Sequence, residues 1–233
     1  MRGDRGGLRI EWRVHCRLKR LAILIFAVVG YLLGSVSFAV LVSRAFGLPD
    51  PRTYGSGNPG ATNVLRSGRK AAALLTLLGD GAKGWLAVLI AQRFAEPGTA
   101  DVAAAVTAVA VVVGHMYPLF FRFQGGKGVS TTLGVLLAID HYLAAGVAAT
   151  WIIIAAFFRI SSLAALVSAV FAPFFCFLLY GAHVLTYAVG LVSLLLVLRH
   201  RDNIRNLLAG NEVRIGKQES AAGIQDPGRS AKG

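Results

Sequence analysis

The sequence predicts an all-α, polytopic membrane protein with seven transmembrane helices, one of them short or broken. Three observations carry that expectation. Apolar residues fill 55% of the 233 positions and charged residues only 15%, with a mean hydropathy of +0.63. Soluble domains carry about 25% charge. The charges also avoid long stretches: residues 21–43, 102–121, 142–158 and 160–198 contain no Asp, Glu, Lys or Arg. Those runs are 23, 20, 17 and 39 residues long, against about 20 apolar residues for one bilayer crossing. Soluble, fibrous and disordered classes are thereby excluded.

The elements follow in chain order. Residues 1–20 are a basic N-terminal extension with seven Arg and Lys. The first span covers 21–43; it is too long for a signal-peptide core and no small-residue cleavage site follows, so it is expected to be retained. A polar, Gly/Pro-rich loop runs from 44 to 63. A helix starts near Asn63 and reaches about Arg93, interrupted by Asp80 and Lys83. These two are three apart and form a structural ion pair, because ionisable groups in a membrane are costly alone. Glu96-Pro97-Gly98 is a turn signal, and 102–121 is the third span. A second glycine-rich loop, 122–128, opens an apolar stretch at 129–139. Its 11 residues cover about 16 Å, roughly half a bilayer core. Asp140-His141 is a boundary, 142–158 the fifth span and 159–162 a polar turn. As one helix the 39-residue run would measure about 58 Å. It should fold as two spans, turning at Gly181 and kinked at Pro173. Residues 21–213 thus form the integral-membrane domain, and 214–233 a flexible tail.

With seven crossings, the loops at 44–63, 122–128 and 159–162 and the tail from 199 share one face. Together with Arg66, Arg69 and Lys70 they hold 15 of the 24 basic residues. The connections at 94–101, 140–141 and 181–183 hold none. The positive-inside rule therefore places the glycine loops in the cytoplasm. The basic extension falls on the opposite side, against that rule.

A net charge of +13 fits either this loop asymmetry and anionic lipid or a site for anionic substrates. Nucleic acid is not an expected partner, since the basic residues sit in short loops without an aromatic groove pattern. Cys16 and Cys176 form no CxxC or Cys/His set, so neither a disulfide nor a metal site is implied.

Three motifs bear chemistry. The first is GSGNPGATNVLR, residues 55–66. Glycines expose consecutive N–H groups, Asn63 suits a helix N-cap, and a phosphate between the helix end and Arg66 would relieve a cation misplaced in the first turn. The second runs from Gly114-His115 to Gly125-Gly126-Lys127-Gly128, where a glycine turn holding a lysine opens a helix. It is no Walker A loop, because Phe121 and Gly128 stand where that pattern needs Gly and Ser/Thr. The third is RHRDNIRNLLAGNE, residues 199–212. If the last span continues, His200 and Asn203 share a face and Gly210 stops the helix. A stop-transfer run explains its arginines equally well, but not His200 with Asn203.

Jointly, in this order, the three motifs resemble those of the bacterial membrane-integral glycerol-3-phosphate acyltransferases of the PlsY type, over residues 21–213. The resemblance implies acyl transfer from acyl phosphate to the 1-hydroxyl of glycerol 3-phosphate, giving lysophosphatidic acid, the first committed phospholipid precursor. It implies a monomer of seven spans in the bacterial cytoplasmic membrane, with its site facing the cytoplasm and no cofactor. By position in the motifs, Ser56, Arg66, Lys127, His200 and Asn203 would be catalytic. Asn58, Asn63, Gly125, Gly126, Gly128, Ser162 and Glu212 would bind substrate, Ser161 adjoining Ser162. No His has an Asp five residues on, since Arg20, Phe120, Gly146, Ala188 and Arg205 stand there. The His-x4-Asp acyltransferase pattern is therefore absent, and acyl-CoA or acyl-carrier-protein donors are not expected. The rival class is a carrier for a phosphorylated metabolite, but the inverted repeats common in carriers are missing.

Overall fold

Backbone amides in hydrocarbon must pair within their own segment, so the apolar runs fold as helices. The computed structural model describes residues 5–215, and all regular secondary structure among them is helical. In chain order the helices are α1 (Arg5–Gly34), α2 (Phe38–Ala45), α3 (Ala61–Leu65), α4 (Lys70–Phe94), α5 (Ala100–Met116), α6 (Val129–Ile139), α7 (His141–Phe158), α8 (Ser161–Tyr180), α9 (Val184–Arg199) and α10 (Arg201–Leu208). A 3-10 turn at Leu119–Phe121 follows α5. Residues 1–4 and 216–233, the ends of the expected basic extension and of the flexible tail, lie outside the described residues.

Among the described residues five helices are long and apolar enough to cross a membrane: Arg17–Ala45, α4, Ala100–Phe121, α7 and α8. The pair α9 and α10, bent by 58°, makes a sixth if taken together, and α6 is apolar but only 11 residues long. The long C-terminal run divides where expected, with Gly181 at φ +65° ending α8. Asp140 caps α7 by accepting the Leu143 N–H at 2.8 Å.

Three boundaries differ from the sequence expectation. The first apolar run is broken at Ser35–Ser37. The Val36 carbonyl freed by that break accepts a hydrogen bond from Lys83 Nζ at 2.6 Å. Ser35 Oγ donates to the Tyr31 carbonyl at 2.8 Å and accepts the Leu119 N–H at 3.2 Å. The helix expected from Asn63 to Arg93 is two helices, because the chain turns at Gly68, φ +81°, before α4. The last span does not run on through the third motif, because the helix bends at His200. α8, by contrast, stays helical through Pro173.

Small residues bring the helix backbones together, as is common where hydrocarbon surrounds the protein. At Gly134 of α6 a methyl group would collide with the Gly81 carbonyl of α4, and at Gly114 of α5 with the Tyr31 carbonyl of α1. Val111, Val112 and Met116 of α5 meet Val192 and Leu196 of α9 in the main core.

Inside this packing Asp80 Oδ1 lies 2.8 Å from Lys83 Nζ, both residues at most 5% exposed. His115 Nδ1 stands 3.5 Å from the same carboxylate and 3.1 Å from Thr131 Oγ1. The pair is the structural contact expected from its spacing. Lys83→Met leaves a buried carboxylate without its partner and should destabilise by about 3–5 kcal/mol. Asp80→Asn/Lys83→Met should regain most of that loss in thermal unfolding in detergent. Equal melting of the single and double variants would contradict the assignment.

Candidate active site

The first motif folds around Asn63. The expected N-cap role is overturned: Gly60 precedes α3, and Asn63 lies buried within that helix. Its carboxamide is turned inward by three loop groups. Nδ2 donates to the carbonyls of Pro51 at 2.7 Å and Tyr54 at 3.1 Å, and Oδ1 accepts the Ser56 N–H at 3.0 Å. Asn63 therefore shapes the loop that presents the exposed Ser56. The helix is only five residues long, and Arg66 follows its last turn rather than standing in its first. The Arg66 side chain folds back over Gly55, where a methyl group would lie 3.0 Å from Cδ and 3.3 Å from Nη1. Asn58 is half-buried, its Nδ2 3.0 Å from where a Gly60 methyl would stand.

Earlier in the same loop Asp50 grips Arg52, with 2.6 Å from Oδ2 to Nη2 and 2.9 Å from Oδ1 to Nε. The guanidinium holds the Asp50 carboxyl below its ordinary range. It also lies over the Phe121 ring, 5.9 Å from the centroid.

The second motif closes tightly on α5. Gly125, Gly126 and Gly128 are all buried. A methyl group on Gly125 would strike the His115 carbonyl, and one on Gly126 the His115 ring, with the Pro59 carbonyl 3.0 Å away. The glycines thus let the lysine loop lie directly between α5 and the first motif. Gly128, φ +84°, then starts α6 as the glycine spacing predicts. Lys127 Nζ donates to Asn203 Oδ1 at 2.5 Å. Burial pulls the Lys127 pKa below the usual lysine value, while Glu212 acts in the opposite sense.

The third motif begins at the bend. His200 and Asn203 do not share one continuous helix, because His200 ends α9 and Asn203 lies on α10. His200 is 3% exposed, and its Nδ1 lies 2.7 Å from the Leu196 carbonyl. A carbonyl only accepts, so Nδ1 carries the proton and neutral Nε2 offers a lone pair. His200 stands beyond the end of α9, and burial lowers its pKa to about 4.

Asn203 links the motifs. Its Nδ2 donates to Glu212 Oε1 at 2.6 Å, and the same oxygen accepts the Ser162 hydroxyl at 2.6 Å. Ser162 rather than Ser161 joins this chain, since Ser161 Oγ faces Thr62 Oγ1 at 3.2 Å. The Ile215 N–H donates to the Arg159 carbonyl at 2.6 Å. All three motifs and the α7–α8 turn therefore meet at one end of the bundle.

Sequence reasoning missed Arg52 and Arg199. Both line an open cleft of about 320 Å³ with Gly57, Tyr117, Gln124 and Gly125. Nothing in the sequence separates Arg199 from the arginines that the charge rule explains. The signal for Arg52 was its carboxylate partner two residues earlier. Four basic side chains at this end, Arg52, Arg66, Lys127 and Arg199, suit a phosphate-bearing ligand.

Comparison with known proteins agrees in extent and fold. The glycerol-3-phosphate acyltransferase family matches residues 24–210. A glycerol-3-phosphate acyltransferase of Ralstonia nicotianae is 62% identical over 199 residues, covering 85% of this chain and 96% of the relative. One of Burkholderia ambifaria is 60% identical over 212 residues, covering 89% and 99%. The crystal structure of PlsY, an integral membrane glycerol 3-phosphate acyltransferase, in its glycerol 3-phosphate form is similar at a TM-score of 0.77 and 37% identity, covering 83% of this chain and 96% of that one. Its lysophosphatidic acid form gives a TM-score of 0.75 at 36% identity, covering 82% and 94%. With the apolar helices and the three motifs gathered at one end, these matches show that the chain belongs to the PlsY family of integral-membrane glycerol-3-phosphate acyltransferases.

Proposed function

We propose that this chain transfers an acyl group from acyl phosphate to the 1-hydroxyl of glycerol 3-phosphate, giving 1-acyl-glycerol 3-phosphate and inorganic phosphate. The observation that carries this reading is the hydrogen-bonded chain from Lys127 through Asn203 and Glu212 to Ser162. It joins the second and third motifs to the α7–α8 turn at the end of an apolar bundle, where Ser161 and Gly126 meet the first motif at Thr62 and Pro59. Acylation of glycerol 3-phosphate is also what the names of the relatives state. The acyl phosphate donor rests on the motif resemblance and on the missing His-x4-Asp pattern.

Both substrates carry phosphate, so the site must hold two anions close together. Arg66 and Lys127 supply the charge, and the Gly125–Gly126 backbone allows close approach. Ser56, Asn58 and Asn203 orient phosphate or glycerol hydroxyls. Ser162 and Glu212 hold Asn203 in place. An acyl phosphate is a mixed anhydride with a good leaving group. The work left is orientation and charge stabilisation, and no acyl-enzyme is needed.

The substrate hydroxyl oxygen attacks the acyl carbonyl carbon, the bond from that carbon to the phosphate oxygen breaks, and phosphate departs with the electron pair. His200, with a pKa of about 4, is a weak proton acceptor near pH 7. The substrate's own phosphate, with a second pKa of about 6, is the better one, and His200 Nε2 accepts a hydrogen bond that aligns the hydroxyl.

The proposal includes seven crossings, counting α6 and α9, in the bacterial cytoplasmic membrane. The motif end faces the cytoplasm, in accord with the positive-inside rule, since 15 of the 24 basic residues lie in the segments that the sequence assigns to that side. The protein acts as a monomer, with the acyl chain between spans.

The test is purified protein in liposomes with acyl phosphate and labelled glycerol 3-phosphate, without CoA or carrier protein. Ester should form. Uptake of label without ester, or ester formed only from acyl-CoA, would overturn the reading. Arg66→Ala should lower the rate at least about 30-fold, about 2 kcal/mol of transition-state binding; near-normal turnover would contradict its role.

Lys127 gives a pH signature. Its lowered pKa means that the ammonium is lost, as pH rises, below the usual lysine value. The alkaline limb of kcat/KM, which reports the free enzyme, should fall below that value and move to higher pH in Lys127→Arg. A limb unmoved by the substitution would assign it to another group.

A further inference from the structure

We infer that Arg199 is a positioning residue that latches the Gly125–Gly126–Lys127 loop to the end of α9. Its Nη2 lies 3.1 Å from the Gly125 carbonyl and 3.4 Å from that of Met116, and its Nε 3.3 Å from that of Gly126. The guanidinium carbon stands 5.2 Å from the Tyr117 ring centroid. Tyr117 is itself held, because its carbonyl accepts the Tyr31 hydroxyl at 2.9 Å.

The loop has few backbone hydrogen bonds to hold it at this point. Among the described residues, the one backbone bond from Gly125–Gly128 back to α5 runs from the Gly126 N–H to the His115 carbonyl at 3.2 Å. Pro118 has no N–H to contribute. Met116, Gly125 and Gly126 are buried, so their carbonyls need donors. One guanidinium supplies all three from a planar fork, which a lysine ammonium does not reproduce.

The consequence is geometric. Arg199 immediately precedes His200, and Asn203 follows on α10. Fixing the loop to Arg199 therefore fixes Lys127 relative to both. An arginine serving only as a membrane-surface anchor would need its charge and not its fork. The kinetic consequence rests on the acyl-transfer reading, whereas the latch itself does not.

The experiment compares the full chain with Arg199→Lys and Arg199→Ala in detergent, by amide hydrogen exchange and by acyl transfer. Exchange across 125–128 should rise at least about tenfold in both variants, with α4 and α7 as protected as before. The value of kcat should fall in both. Millimolar guanidinium, kept well below denaturing levels, should restore part of the protection and part of kcat in Arg199→Ala. Normal exchange and turnover in Arg199→Lys would overturn the latch, leaving charge alone as the role. Deprotection spread over all helices would overturn it in favour of a general folding role. A native protein that makes no ester from acyl phosphate would refute the proposed function, while the exchange data would still decide the latch.

Discussion

The bond between the Lys127 ammonium and the Asn203 amide, 2.5 Å long, is the interaction on which the rest of the site depends. A lysine drawn into a low-dielectric end of a bundle is costly unless it is paired. Asn203 gives it an acceptor, and Glu212 adds a compensating charge one hydrogen bond further on. The same carboxylate oxygen also takes the Ser162 hydroxyl. Four residues from three distant stretches of chain thus satisfy one another. The arrangement leaves a site that is cationic overall yet not a cluster of bare charges.

The membrane bundle makes that arrangement possible. Glycines at Gly134 and Gly114 let α6 approach α4, and α5 approach α1, at backbone distance. The buried pair of Asp80 and Lys83 ties α4 into the break between α1 and α2, through the Val36 carbonyl. Short α6 starts at the site, directly after Gly128, so the lysine loop is carried by a packed element. The bend at His200 then swings α10 over that loop.

Much of this was legible in the sequence, and the reasons for success and failure are physical. Helices were visible because charge is excluded from hydrocarbon. The turn at Gly181, the boundary at Asp140-His141 and the start of α6 follow from local backbone chemistry. The pair at Asp80 and Lys83 follows from helical spacing. The breaks at Ser35–Ser37 and His200 were not visible, because tertiary partners stabilise them. The Val36 carbonyl is satisfied by a lysine 47 positions away. Asn63 was misread for a similar reason: its amide is recruited by Pro51, Tyr54 and Ser56, which no spacing rule encodes. Arg199 was hidden among arginines of the same charge. Its distinction is geometric, in the carbonyls it reaches.

The central claim is that the three motifs form one anion site rather than three separate polar patches. Calorimetric titration of glycerol 3-phosphate onto the purified protein tests it most directly, using Ser56→Ala, Lys127→Ala and Asn203→Ala singly and in pairs. Residues sharing one site and one bound phosphate should couple by at least about 0.5 kcal/mol in each pair. Strict additivity among the pairs, or affinity unchanged by all three substitutions, would contradict the account.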